Sequence, residues 1–344
     1  MLKEPSLAGV PWRLSDMRPA EEGAPTAFSC FSCGGGSTMG YKLAGFRMEG
    51  CLELDEDMMR VYQANHHPRL AYREAIQSFR LRDDLPPELH RLDVLDGSPP
   101  CSTFSMSGDR EKAWGRKRHF REGQAEQVLD DLFLHFVALA ERLRPAVAVS
   151  ENVKGMIAGN AKGYVREIFK KFRAAGYDTQ LFLLNSSRMG VPQRRERVFF
   201  VSRRSDLSLP PLSLSFDERP IGVSDAIAGA GGERKPLSAS FLPWWSKARM
   251  GRSLSDGHPR GSFFNSFKLH PELPSPTITA TGASNFCHWQ EPVCLSGREV
   301  ARLQSFPDDF DFAGISEQYV CGMSVPPLMM QRLALEVRRQ TLKK

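Results

Sequence analysis

Short apolar runs separated by amphipathic stretches limit the fold of this chain more than any other feature. Residues 92–96 (LDVLD), 146–149 (AVAV) and 198–202 (VFFVS) read as three strands. Between them, Val128, Leu129, Leu132, Phe133, Phe136, Val137, Ala140 and Leu143 fall on one stripe of a helix that stops before Pro145. Val165, Ile168, Phe169 and Phe172 mark a second helix, closed by Gly176 in a C-cap position. Strands this apolar, alternating with helices, predict an α/β fold. Its sheet is Rossmann-like, mainly parallel and covered on both faces. After about Arg204 the texture changes. Residues 205–274 are rich in Ser, Pro and Gly, which predicts a second, smaller unit of short strands and long loops. A helix returns at Pro326-Pro327, with Leu328, Met329, Leu333 and Val337 facing inward.

The 344 residues are 41% hydrophobic and 25% charged, which excludes a disordered or fibrous chain. No apolar run is long enough to span a membrane. Residues 1–24 read as a polar extension without the apolar core of a signal peptide. Seven scattered cysteines argue against a disulfide framework and for a reducing cytoplasm. The formal net charge is +6. The window Arg234–Lys268 holds Arg234, Lys235, Lys247, Arg249, Arg252, Arg260 and Lys268 against Asp256 alone, so it accounts for the whole excess. Such a local basic field suits a polyanion such as nucleic acid. Trp244, Trp245, Phe263, Phe264 and Phe267 interleave with these cations, and most are expected in the small unit's own core.

Several chemistry-bearing residues fall where predicted strands end. Phe31-Ser-Cys-Gly34-Gly35-Gly36 lies between a short strand and a helix, where glycine lets backbone N–H groups approach a ligand. Glu53 follows the next strand, at the distance where an acid meets ribose hydroxyls. A loop that merely needs glycine explains the same cluster. Cys30 and Cys33 form a C-x-x-C pair without a matching second pair or spaced histidines, so buried thiols are expected and no metal site. Cys101 follows a strand and two prolines, at the edge where open α/β sheets bind ligands. A thiolate there is a candidate nucleophile, and a buried inert cysteine is the alternative. Ser102 to Gly123 carries Arg110, Lys112, Arg116, Lys117, Arg118 and Arg121, and reads as a cationic loop that closes over an anionic substrate. Glu151 follows the next strand and is placed to protonate or hydrogen-bond a ring nitrogen, or simply to cap a turn. Arg195 and Arg197 alternate to one face of an extended segment, which makes a fork for a carbonyl, phosphate or carboxylate, or a charged strand edge.

Taken in order, these blocks resemble the DNA cytosine-5 methyltransferase family over about 25–204 and 275–344. Phe31 to Gly45 resembles its cofactor glycine motif, and Glu53 falls at its ribose-binding acid. Pro100-Cys101 matches its Pro-Cys nucleophile, Glu151-Asn152-Val153 its Glu-Asn-Val motif, and Gln193, Arg195 and Arg197 its Gln-x-Arg-x-Arg motif. Pro276-Thr277-Ile278-Thr279 and Arg298-Glu299 with Leu303-Gln304-Ser305-Phe306-Pro307 resemble the blocks after its recognition region. Gly322-Met323-Ser324-Val325-Pro326-Pro327 matches its last block. Five positions depart from the pattern, one of them Glu74, which stands at the usual Asp that meets the adenine. Ser29 stands at the usual Asp, Cys33 at the first glycine, Ser102 at the usual Gln and Met323 at the usual Asn.

The resemblance implies methyl transfer from S-adenosylmethionine, with S-adenosylhomocysteine as product, to C5 of a cytosine flipped out of double-stranded DNA. It implies catalytic roles for Cys101, Glu151, Arg195 and Arg197. Cofactor contacts are implied for Phe31, Gly34, Gly35, Gly36, Glu53, Leu54, Glu74, Pro100, Ser324 and Val325. DNA contacts are expected from Ser102, Arg116, Lys117, Arg118, Gln193, Lys247, Arg249, Arg252 and Arg260. The division expected is a catalytic and cofactor-binding domain at 25–204, a target-recognition domain at 205–274, and a segment at 275–344 that returns to the catalytic domain. A cognate restriction endonuclease is an expected partner, and a membrane is not. A tRNA cytosine-5 methyltransferase and a catalytically impaired DNA-binding relative are the alternatives.

Overall fold

The computed structural model describes residues 10–100, 117–118, 127–128, 132–158, 162–259, 266–281 and 285–342. They belong to two compact units. The larger comprises Arg18–Leu184, Glu196–Ser215 and Gln331–Lys344. In chain order its strands are β1 (Thr26–Cys30), β2 (Arg47–Leu52), β3 (Leu70–Tyr72), β4 (Val94–Gly97), β5 (Lys117–Arg118), β6 (Gln127–Val128), β7 (Val147–Val153), β8 (Tyr177–Asn185) and β9 (Glu196–Arg204). β5 and β6 pair antiparallel, so Lys117–Arg118, within the stretch expected as a loop, is one half of a short ladder whose other half lies beyond that stretch. The other seven form one sheet in the order β3-β2-β1-β4-β7-β9-β8. β1 pairs in parallel with β2 and β4, β2 with β3, and β4 with β7. β7 and β9 pair antiparallel. The expected mainly parallel α/β sheet is therefore present, and the reversal at β9 matters for the site.

Helices α1 (Gly36–Leu43), α2 (Glu56–His66), α3 (Ile76–Phe79), α4 (Leu132–Leu143) and α5 (Lys162–Ala174) belong to this unit. The expected stripe on α4 is realised from Leu132 onward, and Val128 is a strand residue instead. Gly176 closes α5 in the left-handed region at φ 83°, a conformation that costs a residue with a Cβ about 1 kcal/mol. Alternation along the strands sends Phe28, Leu95, Ala148, Val198 and Phe200 to one face, where they pack with Phe133, Phe136 and Phe172. The Phe200 ring sits edge-on to Phe133 with centroids 5.1 Å apart. The same alternation puts Ser29, Asp96, Val149 and Glu151 on the opposite face.

The second unit comprises Met1–Met17, Asn185–Arg195 and Phe216–Met330. It holds α6 (Val223–Ile227), α7 (Leu242–Lys247), β10 (Arg252–Ser253), β11 (Phe267–Lys268), β12 (Phe286–Cys287), α8 (Gly297–Leu303), α9 (Glu317–Met323) and the start of α10 (Pro327–Val337). The three short strands form one sheet. A capping box closes the start of α8, where Ser296 and Glu299 satisfy each other's backbone N–H groups. α10 begins at Pro327 as expected, and Leu328, Met329, Leu333 and Val337 are fully buried.

These boundaries differ from the expected 205–274 segment. Residues 275–330 and 185–195 belong to the second unit, because Arg195 donates to the carbonyls of Ile278 and Gly322, each at 3.0 Å. Residues 205–215 belong to the larger unit, where Gln340 bonds both the N–H and the carbonyl of Ser213. From Gln331 onward the chain belongs to the larger unit. Gln331 donates to Leu43 O and Arg338 to Ala44 O, at the end of α1.

Phe200→Ala empties a fully buried ring site. The expected cost is about 3–5 kcal/mol of unfolding free energy, read from urea unfolding at constant slope.

Candidate active site

The parallel register aligns the carboxyl ends of β1, β2, β4 and β7 along one edge of the sheet. Because β9 runs the other way, its first residues reach that same edge. Val153 pairs with Arg197 and Glu151 with Phe199. Arg197 is thus diagonal to Glu151 on the same face, within reach of a long side chain. Arg197 Nε lies 2.9 Å from Glu151 Oε1, and the two side chains are only 13% and 10% exposed. Burial lowers the Arg197 pKa, and the Glu151 charge opposes that shift. A guanidinium remains protonated at neutral pH, so the site holds a buried, paired carboxylate.

Beside Glu151, Asn152 donates from Nδ2 to Pro99 O at 3.0 Å, while its Oδ1 accepts from Val153 N at 2.9 Å. Asn152 therefore ties the end of β7 to the segment that leaves β4 toward Pro100. Cys101, Ser102 and Arg116 lie outside the described residues, as do Arg260 and the side chains of Lys117 and Arg118.

The glycine turn has the expected place, between β1 and α1. Phe31 and Cys33 are both left-handed, with φ of 54° and 49°. Glu53 is half-buried and accepts from Cys33 N at 2.7 Å and from Asp55 N at 2.9 Å. Its carboxylate stabilises the turn directly. Burial raises its pKa, and those two N–H bonds oppose the rise. Leu54 follows it, half-buried. Gly34, Gly35 and Gly36 are buried. Gly35 has a packing reason to be glycine: its φ is 87°, and a Cβ there would meet the His66 ring at 2.0 Å. Cys30 and Cys33 are buried thiols outside any disulfide, and Cys33 Sγ donates to Met58 Sδ at 3.5 Å. Glu74 follows β3 and pairs with Arg82 at 3.0 Å, so part of its carboxylate is already engaged.

Of the expected Gln193, Arg195 and Arg197 group, Gln193 and Arg195 fall in the second unit with structural partners. Arg195 is 3% exposed and bonds the two carbonyls described above. Arg195 and Arg197 do not form one fork, because each is committed to its own partner. Gln193, expected on DNA, is fully buried. Its Nε2 donates to Gln304 Oε1 and Leu303 O, and its Oε1 accepts from Ile278 N at 2.9 Å. Burial with every polar atom engaged makes it a brace for the segment before β9. Ser324 and Val325 are also buried there, with Ser324 Oγ donating to Val320 O at 2.8 Å.

The basic window resolves into two kinds of cation. Lys247, Arg249 and Arg252 are exposed. Lys247 lies 5.1 Å over the Trp244 ring, and Arg252 pairs with Asp256 at 2.7 Å. Arg234 is instead held by Glu299 at 2.6 Å and Glu291 at 3.3 Å, so it adds little field. Trp244 and Trp245 pack half-buried against Leu237, Ala248, Leu254 and Cys287. The expectation that they belong to the small unit's core holds.

Sequence reasoning missed Asp96 and the bracing role of Asn152. Asp96 is 1% exposed, and Ser29 Oγ donates to its Oδ2 at 2.8 Å. β1 and β4 place the two residues directly opposite each other. Burial pushes the Asp96 pKa up to about 7, with the Glu151 charge adding to the shift and the Ser29 and Ser37 hydroxyls opposing it. The available signal was a charged residue inside an otherwise apolar strand.

The comparisons agree with this geometry. A model of the C-5 cytosine-specific DNA methylase family matches residues 26–228 and 244–339. The chain belongs to that family and is a DNA cytosine methyltransferase. Type II methyltransferase M.NgoPII of Neisseria gonorrhoeae is 27% identical over 342 residues, covering 90% of this chain and 94% of that protein. Type II methyltransferase M1.HphI of Haemophilus parahaemolyticus is 29% identical, covering 90% and 85%. In fold, the chain resembles a prophage-encoded E. coli protein crystallised as a candidate DNA modification methyltransferase. The TM-score is 0.72 at 20% identity, covering 93% of this chain and 100% of the other. No helix among the described residues is long and apolar enough to cross a membrane.

Asp96 makes stability depend on pH with a defined sign. Its folded pKa is raised from 3.8 to about 7, so its contribution is full below the unfolded value and is lost as pH rises through the folded one. Asp96→Asn is expected to gain on the native protein between pH 5 and pH 8, by on the order of 1.4 kcal/mol for each pH step of one crossed below the folded pKa. Urea unfolding at both pH values checks this. A constant difference between the two proteins contradicts the buried-acid account.

Proposed function

We propose that this chain transfers a methyl group to C5 of cytosine in duplex DNA, through a covalent adduct between Cys101 and C6 of a base turned out of the helix. The observation that carries the reading is the buried Glu151–Arg197 pair at the sheet edge, on the strand next to the one that leads to Pro99-Pro100-Cys101. Aromatic C5 is a poor nucleophile. Addition of the Cys101 thiolate to C6 removes the aromaticity and raises electron density at C5. Glu151, on taking up a proton, hydrogen-bonds or protonates N3 and so stabilises the adduct. Arg197 fixes the orientation of Glu151 and places positive charge beside it. After methylation, loss of the C5 proton to a base expels Cys101 and restores the ring. A cytosine stacked in a duplex cannot present C6 to a thiol, so extrusion of the base is required.

The cofactor on this reading is S-adenosylmethionine, which supplies the methyl group as an electrophilic sulfonium carbon. The chain's own residues fit it. Glu53 ends β2 beside the glycine turn, and a carboxylate accepts more bonds than the two it already makes. Asp96 Oδ1 is buried with no hydrogen-bond partner among the described residues. Phe31, Gly34, Gly35, Gly36 and Leu54 would line the turn, Glu53 would accept hydrogen bonds from the ribose hydroxyls, and Pro100 would complete the contacts. Glu74 would reach the adenine while keeping its Arg82 partner.

DNA affinity on this reading comes from phosphate contacts by Lys247, Arg249 and Arg252, with Ser102, Arg116, Lys117, Arg118 and Arg260 adding to them. The type II names of the relatives support a cognate restriction endonuclease acting at the same site.

Bisulfite sequencing of a methylation-free plasmid after exposure to the protein and S-adenosylmethionine tests the proposal. Cytosines protected at one recurring sequence are expected. Cys101→Ser is expected to abolish protection, and Glu151→Gln to slow it by roughly 10²–10⁴-fold. An unprotected plasmid together with a methylated tRNA pool would transfer the reading to RNA.

A further inference from the structure

We propose that Cys287 and Cys294 form a redox modification site, a dithiol that a low-molecular-weight disulfide converts reversibly to an intramolecular cystine. The proposal goes beyond methyl transfer and does not depend on it.

Backbone register carries the argument. Cys287 ends β12 and bridges antiparallel to Cys294. His288 N donates to Val293 O at 2.9 Å, and Leu295 N to Phe286 O at 2.9 Å. These bonds flank the cysteine pair and do not join it, so 287 and 294 are a non-hydrogen-bonded pair. In such pairs the Cα atoms stand about 4.5 Å apart and the side chains are at their closest. That spacing lies at the short end of the roughly 4.4–6.8 Å that disulfides span. The second strand is itself held from its far side. Cys294 N donates to Lys235 O at 2.8 Å, and Leu237 N to Pro292 O at 2.9 Å. The two thiols are therefore fixed facing each other.

Their surroundings differ in a way that assigns roles. Cys287 is 1% exposed and packs with Leu237, Ala248 and Leu254, while Cys294 lies half-buried at the edge of the cluster. Cys287 shares its hydrogen with Cys294, which raises the Cys287 pKa and lowers that of Cys294. Cys294 is then the attacking thiol and Cys287 the resolving one.

The chemistry balances. The Cys294 thiolate attacks one sulfur of a small disulfide RSSR, forms a mixed disulfide and releases RS⁻. Cys287 gives its proton to solvent and attacks Cys294 Sγ, which expels the second RS⁻. Two protein thiols and RSSR become one cystine and two RSH, and two electrons pass to the small disulfide. A cystine at the short end of the range, reachable from one side, is readily reduced again. It would tie β12 to the segment at Val293-Cys294, and β12 is also paired with β11, whose Lys268 ammonium lies 4.0 Å over the Trp245 ring.

The test uses the full-length protein equilibrated in stepped ratios of oxidised to reduced glutathione. Samples are quenched in acid, denatured, alkylated with N-ethylmaleimide and mapped by peptide mass. The expected result is that Cys287 and Cys294 lose alkylation together, as one linked species two hydrogens lighter, and regain it in excess reduced glutathione. Cys287→Ser is expected to leave glutathione stably attached to Cys294. The proposal is overturned if both cysteines of the native protein stay alkylatable at every ratio. It is equally overturned if glutathione accumulates on native Cys294 without a link to Cys287. The mapping of the unaltered protein decides the matter even if a variant fails to fold.

Discussion

A carboxylate and a guanidinium held out of water at the edge of a sheet are the constraint on which this site depends. Desolvating the two charges costs several kcal/mol each, and only close, well-directed pairing offsets that cost. Glu151 and Arg197 meet because one strand, β9, runs against its neighbours in a mainly parallel sheet. A parallel β9 would send its first residues to the far end of β7. The reversal is thus what delivers a cation to the edge where the strands' carboxyl ends converge.

Much of the scaffold was legible because helices and strands are written in local periods. The α4 stripe, the Gly176 cap and the start of α10 at Pro327 all follow from spacing, proline geometry and left-handed glycine. The position of the glycine turn and of Glu53 was legible for the same reason. Partner identity was not, because it depends on strand order and register. Nothing local to Arg195 says that it will bond the carbonyls of Ile278 and Gly322, more than eighty residues away. Gln193 was assigned to DNA by resemblance, yet it is buried among Gln304, Leu303 and Ile278. The unit boundary moved for the same physical reason. Residues 275–330 pack with 185–195 rather than with the end of the chain.

Two departures from the family pattern acquire a physical reading. Cys33 stands where a glycine is usual, and it keeps the left-handed backbone that a glycine would adopt freely. That conformation costs a residue with a Cβ about 1–2 kcal/mol, and the Glu53 carboxylate helps to hold it through the Cys33 N–H. Ser29 stands where an acid is usual, and the acid here is Asp96, directly across on β4 and bonded to Ser29. The buried carboxyl is present at this edge of the sheet but is carried by the neighbouring strand.

The most direct measurement is the mass of the complex formed on a duplex whose target cytosine is replaced by 5-fluorocytosine, in the presence of S-adenosylmethionine. The fluorine cannot leave as a proton does, so an adduct at C6 stays trapped. The account predicts a denaturation-resistant species of protein plus DNA whose link maps to the peptide containing Cys101. A trapped link to any other residue, or methylation that proceeds with no link at all, would contradict it.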